Sequence, residues 1–454
     1  MTDINHITHI YFLGIGGIGM SALARYFYTR GVSVSGYDKT PSRLTAELQE
    51  EGIKVIHDDD PATLDVMPEL VIYTPAIPSS NKLFRHFINH HVPMKKRAEV
   101  LGMISSGIPT IAVAGTHGKT TISAMLTHIL KVAGIPCVSF LGGISTNYNS
   151  NYVGEPNPRW MVAEADEFDR SFLQLSPQLA LISTIDADHL DVYGSREALA
   201  KNFASFAGKI HPRGVLVSKK GIAEELGFTG KGYSYHPTDM ADYRLKDVEL
   251  HQGRYKATIE GELHIEGLEP GHPGMHNLEN ALGAAALAHQ AGVSADKIKE
   301  ALNSFNGVRR RFEICLQTEN IIYVDDYAHH PEEIRACISS ARAMWPGRKI
   351  TGIFQPHLFS RTKELAGEFA ESLSALDELI LMDIYPAREA PIEGVNAQMI
   401  LDKVTLQQAS YCPREELMDL LENTEPDVLI TMGAGDIDRF AGPITQLLKN
   451  KALS

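Results

Sequence analysis

The chain has 454 residues, too many for one compact core, and a typical size of roughly 150 residues per domain predicts three domains. Hydrophobic residues make up 44% and charged residues 22%, which is ordinary for a globular protein. The formal net charge of −14 argues against nucleic-acid binding, because a phosphate backbone attracts a basic surface. The start lacks a signal-peptide pattern and no apolar run is long enough to cross a bilayer, so we expect a cytoplasmic protein without membrane contacts.

Four cysteines are scattered along the chain: Cys137, Cys315, Cys337 and Cys412. No two of them have a spacing typical of a metal site. We expect reduced thiols without a catalytic, disulfide or metal role.

Residues 1–108 form the first predicted domain. Apolar runs predict strands at HIYFLGIG, VSVSGYD and ELVIYTPAIP, and helical spacing predicts a helix at MSALARYFYTRG. Strands that alternate with helices indicate a parallel sheet.

Residues 109–311 form the second predicted domain. A strand is predicted at PTIAVAG, followed by a glycine loop and by a helix at TTISAMLTHILKVAG. Further strands are predicted at WMVAEAD, LALISTID and GVLVSKK, with a helix at KNFASFAGKI. Alternation from 243 to 269 predicts antiparallel hairpins, and small residues at helical spacing predict a helix at HNLENALGAAALAHQAG.

Residues 312–454 form the third predicted domain, again with alternating elements. Strands are predicted at IIYVDDY, KITGIFQPH, ELILMDIYP and DVLITMGAG. Helices are predicted between them at PEEIRACISSARAMW and TKELAGEFAESLSAL, so we expect an α/β fold throughout.

The loop from Gly115 to Thr121, GTHGKTT, lies between a predicted strand and a predicted helix. Small residues there let several backbone N–H groups point at one phosphate, and the helix N-terminus adds partial positive charge. Lys119 can reach the β- and γ-phosphates of a nucleotide, and the Thr120 hydroxyl suits Mg²⁺. The usual first glycine of such loops is replaced by Val113.

A second glycine cluster, GIGGIG from Gly14 to Gly19, also follows a strand and precedes a helix. Asp38 ends the next strand, at about the spacing where an acidic residue would bind a ribose. Read alone, this pattern is typical of NAD binding. A glycine loop binds a diphosphate whatever is attached to it, so a UDP-linked substrate fits equally well.

Acidic residues follow two predicted strands of the second domain. Glu164, Asp166 and Glu167 end one strand, and a second group follows the other: Asp186, Asp188, His189 and Asp191. In a parallel sheet these ends share the edge where the phosphate loop opens, so the groups can converge on ATP. Carboxylates bind Mg²⁺, whereas a histidine ligand suits Mn²⁺ better.

Taken together, the chain resembles the Mur ligases, which build the peptide of bacterial cell-wall precursors. The resemblance covers nearly the whole chain and is carried by motifs in a fixed order: GIGGIGMSALA, GTHGKTT, EADEFDRSFL, DADHLDVYG, HNLENALGAAA, FNGVRRRFE, DDYAHHPEE, FQPH and LITMGAGDI. It implies a Rossmann-like N-terminal domain that binds a UDP-sugar, a central P-loop ATPase domain with a mostly parallel sheet, and a Rossmann-like C-terminal domain that binds the amino acid.

The resemblance also implies a reaction that requires ATP and Mg²⁺. ATP would phosphorylate the lactyl carboxylate of UDP-N-acetylmuramate, and the amine of L-alanine would attack the resulting acyl phosphate. Two anions must come together in the first step, so positive charge from Lys119 and the metal must offset their repulsion. The protein would be a monomer or a homodimer.

Site residues follow from the matching motif positions. The UDP-sugar would contact Gly14, Gly16, Gly17, Gly19, Asp38 and Thr74. ATP would contact Gly115, Thr116, His117, Gly118, Lys119, Thr120 and Thr121, with Asn277 or Asn280 at the adenine, and with Arg310 or Arg311 and Asp326 as the third domain closes. The catalytic residues would be Lys119, Glu164 and His189, and the metal would be bound by Thr120, Glu164 and His189. The amino-acid pocket would include Tyr327, His329 and Arg361, the last as a carboxylate clamp.

Two positions depart from the family pattern. Leu358 stands where many relatives carry a second basic residue, and Phe168 stands where a serine is frequent. Phe168 favours a recycling member of the family that adds a tripeptide to the same sugar nucleotide, whereas DADHLDVYG favours the member that adds alanine. An NAD-dependent oxidoreductase and a non-catalytic UDP-sugar sensor are the alternatives from other classes. The oxidoreductase leaves GTHGKTT, the Asn-rich helix start and the third domain without a function. A sensor would not need acidic residues at two strand ends beside an ATP loop.

Overall fold

The computed structural model describes residues 4, 6–186, 193, 195–251, 253–387 and 389–453, with the backbone alone at 168 and 169. It is an α/β structure of three sheets that are mostly parallel, as the sequence predicts. Among the described residues, no helix combines the length and the apolar character needed to cross a membrane.

The first sheet contains β1 (His9–Leu13), β2 (Ser33–Tyr37), β3 (Lys54–Ile56), β4 (Leu70–Tyr73) and β5 (Met94–Lys96). Its helices are α1 (Ile18–Tyr28), α2 (Arg43–Glu50), α3 (Lys82–Asn89) and α4 (Arg97–Gly107), with a 3₁₀ turn at Pro61–Thr63. The order β3-β2-β1-β4-β5 is parallel throughout. Ile10 and Phe12 point into one core and Tyr11 and Leu13 into another, because successive side chains of a strand alternate between faces.

The second sheet contains β6 (Thr110–Ala114), β7 (Cys137–Ser145), β8 (Ser150–Gly154), β9 (Trp160–Glu164), β10 (Leu179–Ile182), β11 (Val215–Lys219), β12 (Lys231–His236), β13 (Tyr243–His251), β14 (Arg254–Gly261) and β15 (Ile265–Leu268). Its helices are α5 (Lys119–Val132), α6 (Arg196–Ala207), α7 (Ile222–Glu225), α8 (Met275–Gln290) and α9 (Ala295–Asn303), with a 3₁₀ helix at Phe168–Gln174. The order is β15-β14-β13-β12-β11-β10-β6-β9-β7-β8. The predicted antiparallel pairing after residue 243 is confirmed for β14 and β15.

The third sheet contains β16 (Glu313–Gln317), β17 (Ile322–Asp326), β18 (Ile350–Phe354), β19 (Glu378–Leu381), β20 (Ala409–Tyr411) and β21 (Val428–Met432). Its helices are α10 (Pro331–Met344), α11 (Phe359–Leu373), α12 (Gln398–Leu401), α13 (Leu417–Glu422) and α14 (Ala441–Leu453), with 3₁₀ turns at Arg414–Glu416 and Asp436–Phe440. The order is β16-β17-β21-β18-β19-β20, and only β16 runs antiparallel to its neighbour among the pairings of the described strands.

The chain divides into two compact units. The first unit comprises Met1–Asp247, Ala257–Leu268 and Glu279–Phe305, and the second comprises Val248–Lys256, Glu269–Leu278 and Asn306–Ser454. The first unit therefore holds the five-stranded sheet together with most of the ten-stranded one. The domain bounds predicted after residues 108 and 311 stay predictions.

A buried polar network joins α1 to β8 within the first unit. Arg25 is 5% exposed and donates to both carboxylate oxygens of Glu51 and to the side-chain oxygen of Asn151. Asn151 is fully buried, and its amide donates to the Ile18 carbonyl at 2.5 Å and to the Ser21 hydroxyl at 2.8 Å. Because buried polar groups are costly unless they are hydrogen-bonded, this network fixes the start of α1 on the ten-stranded sheet.

Candidate active site

The order of the second sheet assembles the candidate site. β6 lies between β9 and β10 and is parallel to both. The carboxyl ends of parallel strands meet at one edge, so the phosphate loop after β6 opens between Glu164 at the end of β9 and the residues that follow β10. This is the convergence that the strand pattern predicts.

The phosphate loop adopts a conformation that needs its two glycines. Gly115 has φ +124° and Gly118 has φ +82°, both in the left-handed region that side chains disfavour. A Cβ on Gly115 would lie 2.2 Å from the Ser183 hydroxyl, and one on Gly118 would lie 2.5 Å from the Asn280 side-chain oxygen. Val113 is fully buried within β6, which explains why no glycine is required there.

Lys119 is held at the first turn of α5. Its ammonium donates to the carbonyls of Gly115 at 2.7 Å and Thr116 at 3.2 Å, and to the Glu167 carboxylate at 2.9 Å. Burial lowers the pKa of Lys119, but the carboxylates of Glu167, Asp166 and Glu164 outweigh it and hold that pKa above its usual value. The lysine therefore stays charged where a phosphate would arrive.

Glu167 is a site residue that the sequence did not single out. Its side chain is 1% exposed, and burial raises the pKa of its carboxyl to about 7 although Lys119 opposes the shift. Glu167 lies in the motif EADEFD, in which four of the six residues are acidic. The sequence does not indicate which of the four contacts Lys119. The contact spans 48 residues and depends on the fold.

Thr120 and Glu164 present oxygen atoms suited to a divalent cation. The Thr120 hydroxyl donates to Glu164 Oε2 at 2.9 Å, and a Cβ on Gly142 would lie 2.0 Å from the same oxygen, so the strand β7 leaves room for this carboxylate. Among the described residues, no three His, Cys, Asp or Glu side chains are grouped to bind a metal. The pair fits Mg²⁺, which keeps water and phosphate ligands beside one or two carboxylates.

The remaining loop residues are tied to the segment after β10. The Thr116 hydroxyl accepts from the Asp186 backbone at 2.9 Å, and the His117 backbone donates to the Thr184 hydroxyl at 3.1 Å. His117 Nε2 lies 3.6 Å from the Asp186 carboxylate, and Thr121 is 5% exposed in α5. The predicted ligand His189, with Asp188 and Asp191, lies outside the described residues.

The first glycine cluster forms a second loop in the same unit, before α1. Gly14 has φ +86°, and its N–H donates to the Tyr37 carbonyl at 2.7 Å. Asp38 Oδ2 accepts from the Gly16 N–H at 2.9 Å and Oδ1 accepts from Thr40, so both carboxylate oxygens shape the backbone here.

The α1 helix begins after this loop at an open N-terminus. A Cβ on Gly14 would lie 2.6 Å from Thr74, which places Thr74 at the same turn. Gly17 is the N-cap of α1 and carries no side-chain cap, and Gly19 follows in the first helical turn. The six residues predicted for the UDP-sugar therefore lie together, with free helical N–H groups suited to a diphosphate.

In the second unit, two arginines of the run from Arg309 to Arg311 lie against Tyr327. The guanidinium groups of Arg310 and Arg311 each lie 5.1 Å from the centre of the Tyr327 ring. Arg310 also lies 3.4 Å from the fully buried Asp325 and donates to the Gly433 carbonyl at 2.5 Å. Burial raises the pKa of Asp326 to about 6, against the opposing effect of Arg311.

The predicted amino-acid residues gather around two histidines of the second unit. The ring of His329 lies 5.2 Å from Tyr327 and 6.1 Å from His357, and His357 stacks on Tyr385 at 5.7 Å. Burial lowers the pKa of His357 to about 4, with further contributions from His329 and Arg361. His357 lies in the motif FQPH, but its position beside the pair Tyr327 and His329 was not predicted.

The start of α8 carries the two predicted adenine residues one turn apart. Asn277 is 1% exposed, and its amide donates to the Pro273 carbonyl at 2.6 Å. Asn280 lies in the first unit against Gly118, as described above. The structure therefore places Asn280 directly at the phosphate loop.

The cysteines are consistent with the prediction of unreactive thiols. All four are free, and burial raises the pKa of each: Cys137, Cys315, Cys337 and Cys412. A thiol with a raised pKa is a weak nucleophile at neutral pH.

Fold and site together define an α/β enzyme that uses a phosphate loop beside carboxylates, with a second glycine loop in the same compact unit. Three family models match in order: "Mur ligase family, catalytic domain" at 9–108, "Mur ligase middle domain" at 113–288 and "Mur ligase, glutamate ligase domain" at 310–435. The chain belongs to the Mur ligase family and is an ATP-dependent amide-bond ligase.

Named relatives extend over the full chain. The UDP-N-acetylmuramate–L-alanine ligases of Parabacteroides distasonis and Flavobacterium johnsoniae are each 46% identical, covering 98% of this chain and 98% and 99% of their own. Among solved structures, the UDP-N-acetylmuramate–alanine ligase of Thermotoga maritima is 30% identical with a TM-score of 0.85, covering 98% of this chain and all of that one. The fold is also shared with a murein peptide ligase of Psychrobacter arcticus, at 22% identity and a TM-score of 0.73 over 98% of this chain and 99% of that one.

Proposed function

We propose that this chain joins L-alanine to the lactyl carboxylate of UDP-N-acetylmuramate at the expense of ATP, a step in making the peptidoglycan precursor. The observation that carries the proposal is the placement of Lys119, Thr120 and Glu164 at one sheet edge, in a chain whose full-length relatives bear that activity in their names. ATP and free UDP-sugars are cytoplasmic metabolites, so the enzyme works in the cytoplasm.

The reaction has two steps. An oxygen of the lactyl carboxylate attacks the γ-phosphate of ATP, the bond to the β-phosphate bridging oxygen breaks, and ADP leaves. The amine of L-alanine then attacks the acyl carbon, phosphate leaves, and the amine loses a proton to give the amide. A carboxylate reacts with amines only after its oxygen has become a good leaving group, which explains the use of ATP.

The chain's own groups prepare the first step. Lys119 carries a positive charge at the carboxyl end of β6, and this charge offsets the repulsion between phosphate and carboxylate. Thr120 and Glu164, together with His189, would bind Mg²⁺. That cation supplies charge neutralisation and orientation of the phosphate oxygens when it is bound.

The other assignments complete the proposal. ATP is contacted by the loop from Gly115 to Thr121, by Asn280 and Asn277, and by Arg310, Arg311 and Asp326. L-alanine is contacted by Tyr327, His329 and Arg361, whose charge suits the amino-acid carboxylate. The UDP-sugar is contacted by the first glycine loop, Asp38 and Thr74.

The test is phosphate release by the purified protein with ATP, Mg²⁺ and UDP-N-acetylmuramate, with L-alanine, glycine, L-serine or the tripeptide as acceptor. We expect release with L-alanine, and none when Lys119→Ala replaces the native protein, which excludes a contaminating ATPase. Release with the tripeptide alone would move the chain to the recycling activity. No release with any acceptor would contradict the ligase proposal.

A further inference from the structure

Arg97 lies against the first glycine loop although it is 78 residues away in the chain. It is the first residue of α4 and is half-buried. A Cβ on Gly19 would lie 3.0 Å from Arg97 Nη1 and 3.1 Å from its Cδ. Gly19 therefore leaves the space in which the arginine side chain crosses the first turn of α1.

The same side chain also faces the edge where the phosphate loop opens. Arg97 lines a small cleft together with Glu164, Asp166 and Ser171. Glu164 is the carboxylate that accepts from Thr120. Arg97 thus contacts the first glycine loop on one side and shares a cleft with Glu164 and Asp166 on the other.

The Arg97 guanidinium has no hydrogen bond or ion pair within the described part of the chain. Of the other arginines near α1 and α2, Arg25 pairs with Glu51 and Arg43 with Glu47. Arg30 donates to the Tyr26 carbonyl and the Tyr152 hydroxyl. In a chain with a net charge of −14, a half-buried guanidinium without a carboxylate favours binding of an external anion.

The helix that carries Arg97 is firmly placed. A Cβ on Gly102 would lie 2.6 Å from the Gln174 carbonyl, so α4 packs directly on the 3₁₀ helix of the second domain. The Ser105 hydroxyl accepts from the Ser176 backbone at 3.3 Å, and Glu99 accepts from the Lys96 backbone at the start of the helix. Binding an anion would therefore order the arginine side chain alone, at a small entropic cost.

We propose that Arg97 binds the diphosphate of the sugar nucleotide in the first glycine loop; this rests on the proposed function. The loop GIGGIG supplies N–H groups but no positive charge, and a guanidinium donates two parallel hydrogen bonds to phosphate oxygens. Glu164 and Asp166 repel an anion from the far side of the cleft, so the anion approaches Arg97 from the α1 side, where the diphosphate sits at the helix N-terminus.

The experiment measures binding to the full chain by calorimetry, with UDP-N-acetylmuramate, UDP, uridine and Mg²⁺-ADP as probes. We expect Arg97→Met to lower the affinities for UDP-N-acetylmuramate and for UDP by the same factor. That factor should be about 10- to 100-fold, the range for a charge-assisted hydrogen bond. Uridine, which has no phosphate, and Mg²⁺-ADP should bind as they do to the native protein. Arg97→Lys should recover part of the loss, because it keeps the charge without the paired donors.

Lys54→Ala is the matched control. It removes one positive charge from the same domain, at an exposed ion pair with Asp65 at the amino end of β3. The melting temperature of each variant separates misfolding from lost binding, and Arg97→Met keeps the aliphatic part that packs on Gly19.

Equal UDP binding by the native protein and Arg97→Met would overturn the inference. Loss of UDP-N-acetylmuramate binding with UDP binding intact would also overturn it, because the anion would then be the lactyl carboxylate. If the native protein binds neither ligand, the proposed function itself fails, and the two failures are distinguishable.

Discussion

The two loops of the first unit are both rich in glycine and both lie between a strand and a helix, but they are held in different ways. The phosphate loop is held by charged side chains, since Lys119 contacts Glu167 and Thr120 contacts Glu164. The first loop is held by its backbone, by the bond from Gly14 to Tyr37 and by the single carboxylate of Asp38.

The roles proposed for the two loops account for this difference. A loop that binds a diphosphate without changing it needs N–H donors and room, which the open start of α1 provides. A loop that transfers a phosphate to another anion must also hold charge in place before the substrates arrive. The buried Glu167 and the half-buried Glu164 and Asp166 keep the charge of Lys119 in place, and the first loop has no equivalent within itself.

The largest expected effect comes from removing the lysine of the phosphate loop. Lys119→Ala should lower turnover by about 1,000-fold or more, because it removes the charge that offsets repulsion in the first step. UDP-N-acetylmuramate should bind within about twofold of the native affinity, because Lys119 contacts Gly115, Thr116 and Glu167 and not the first glycine loop. Phosphate release and calorimetry measure the two quantities.

This variant leaves Glu167 buried without its partner, so a control is needed. The double variant Lys119→Ala/Glu167→Gln removes both charges and should restore the melting temperature without restoring turnover. Loss of sugar-nucleotide binding in both variants would show that the two loops are not separate.

Glu164→Gln should have the next largest effect. Replacing one carboxylate oxygen weakens the proposed Mg²⁺ site by about 10- to 100-fold, the range for perturbed metal ligation. We expect turnover at low Mg²⁺ to fall by about that factor and to recover in part as Mg²⁺ is raised. Glu225→Gln, which removes the same charge from an exposed pair with Arg196, is the control and should change little.

Asp38→Ala tests the first glycine loop by removing the carboxylate that holds its backbone. The change leaves the Gly16 N–H without its acceptor, so UDP-N-acetylmuramate binding should weaken by about 10-fold. The affinity for Mg²⁺-ADP, measured by calorimetry, should stay the same. A drop in ADP affinity of similar size would contradict the separation of the loops.

The smallest expected effect concerns pH and Glu167. Burial raises its pKa from 4.5 to about 7, so the folded state holds this proton more tightly than the unfolded chain does. The contribution of this raised pKa to the stability of the folded state is complete below pH 4.5 and is lost as pH rises to about 7. Lys119 is charged throughout this range and adds no pH dependence to the stability of the folded state.

Glu167→Gln removes this titration. The melting temperature of the variant minus that of the native protein should therefore be larger at pH 7.5 than at pH 5, by a few degrees. Thermal scans at both pH values measure the change. A constant difference between the two proteins would show that Glu167 is already ionised at pH 5.

The sequence predicted the elements that define the site because their signals are local. The apolar strand before GTHGKTT and the amphipathic helix after it needed no tertiary information, and β6, β9 and β10 formed where their buried runs predicted. Their neighbouring positions followed from the rules of parallel sheets. The pattern also correctly grouped Gly14, Gly16 and Asp38.

Elements with weak local signals were not predicted. β8, SNYVG, follows an NYNS turn at the sheet edge, and β12, KGYSYH, is polar and half-exposed, so neither shows a buried run. The contacts of Glu167 with Lys119 and of Arg97 with Gly19 span 48 and 78 residues and exist only in the folded chain. His189, by contrast, lies outside the described residues, and its role stays a prediction.

The network around Asn151 has a consequence for how this chain acquires its structure during synthesis. Residues 1–108 leave the ribosome with Arg25 able to pair with Glu51, whereas the acceptor for its remaining buried N–H comes 126 residues later. The Ile18 carbonyl, within the first glycine loop, accepts a hydrogen bond from the same Asn151 side chain. The part of the first unit that lies within residues 1–108 therefore completes its buried polar network only after β8 has been synthesised, and a fragment ending at residue 108 would lack the acceptor for Arg25.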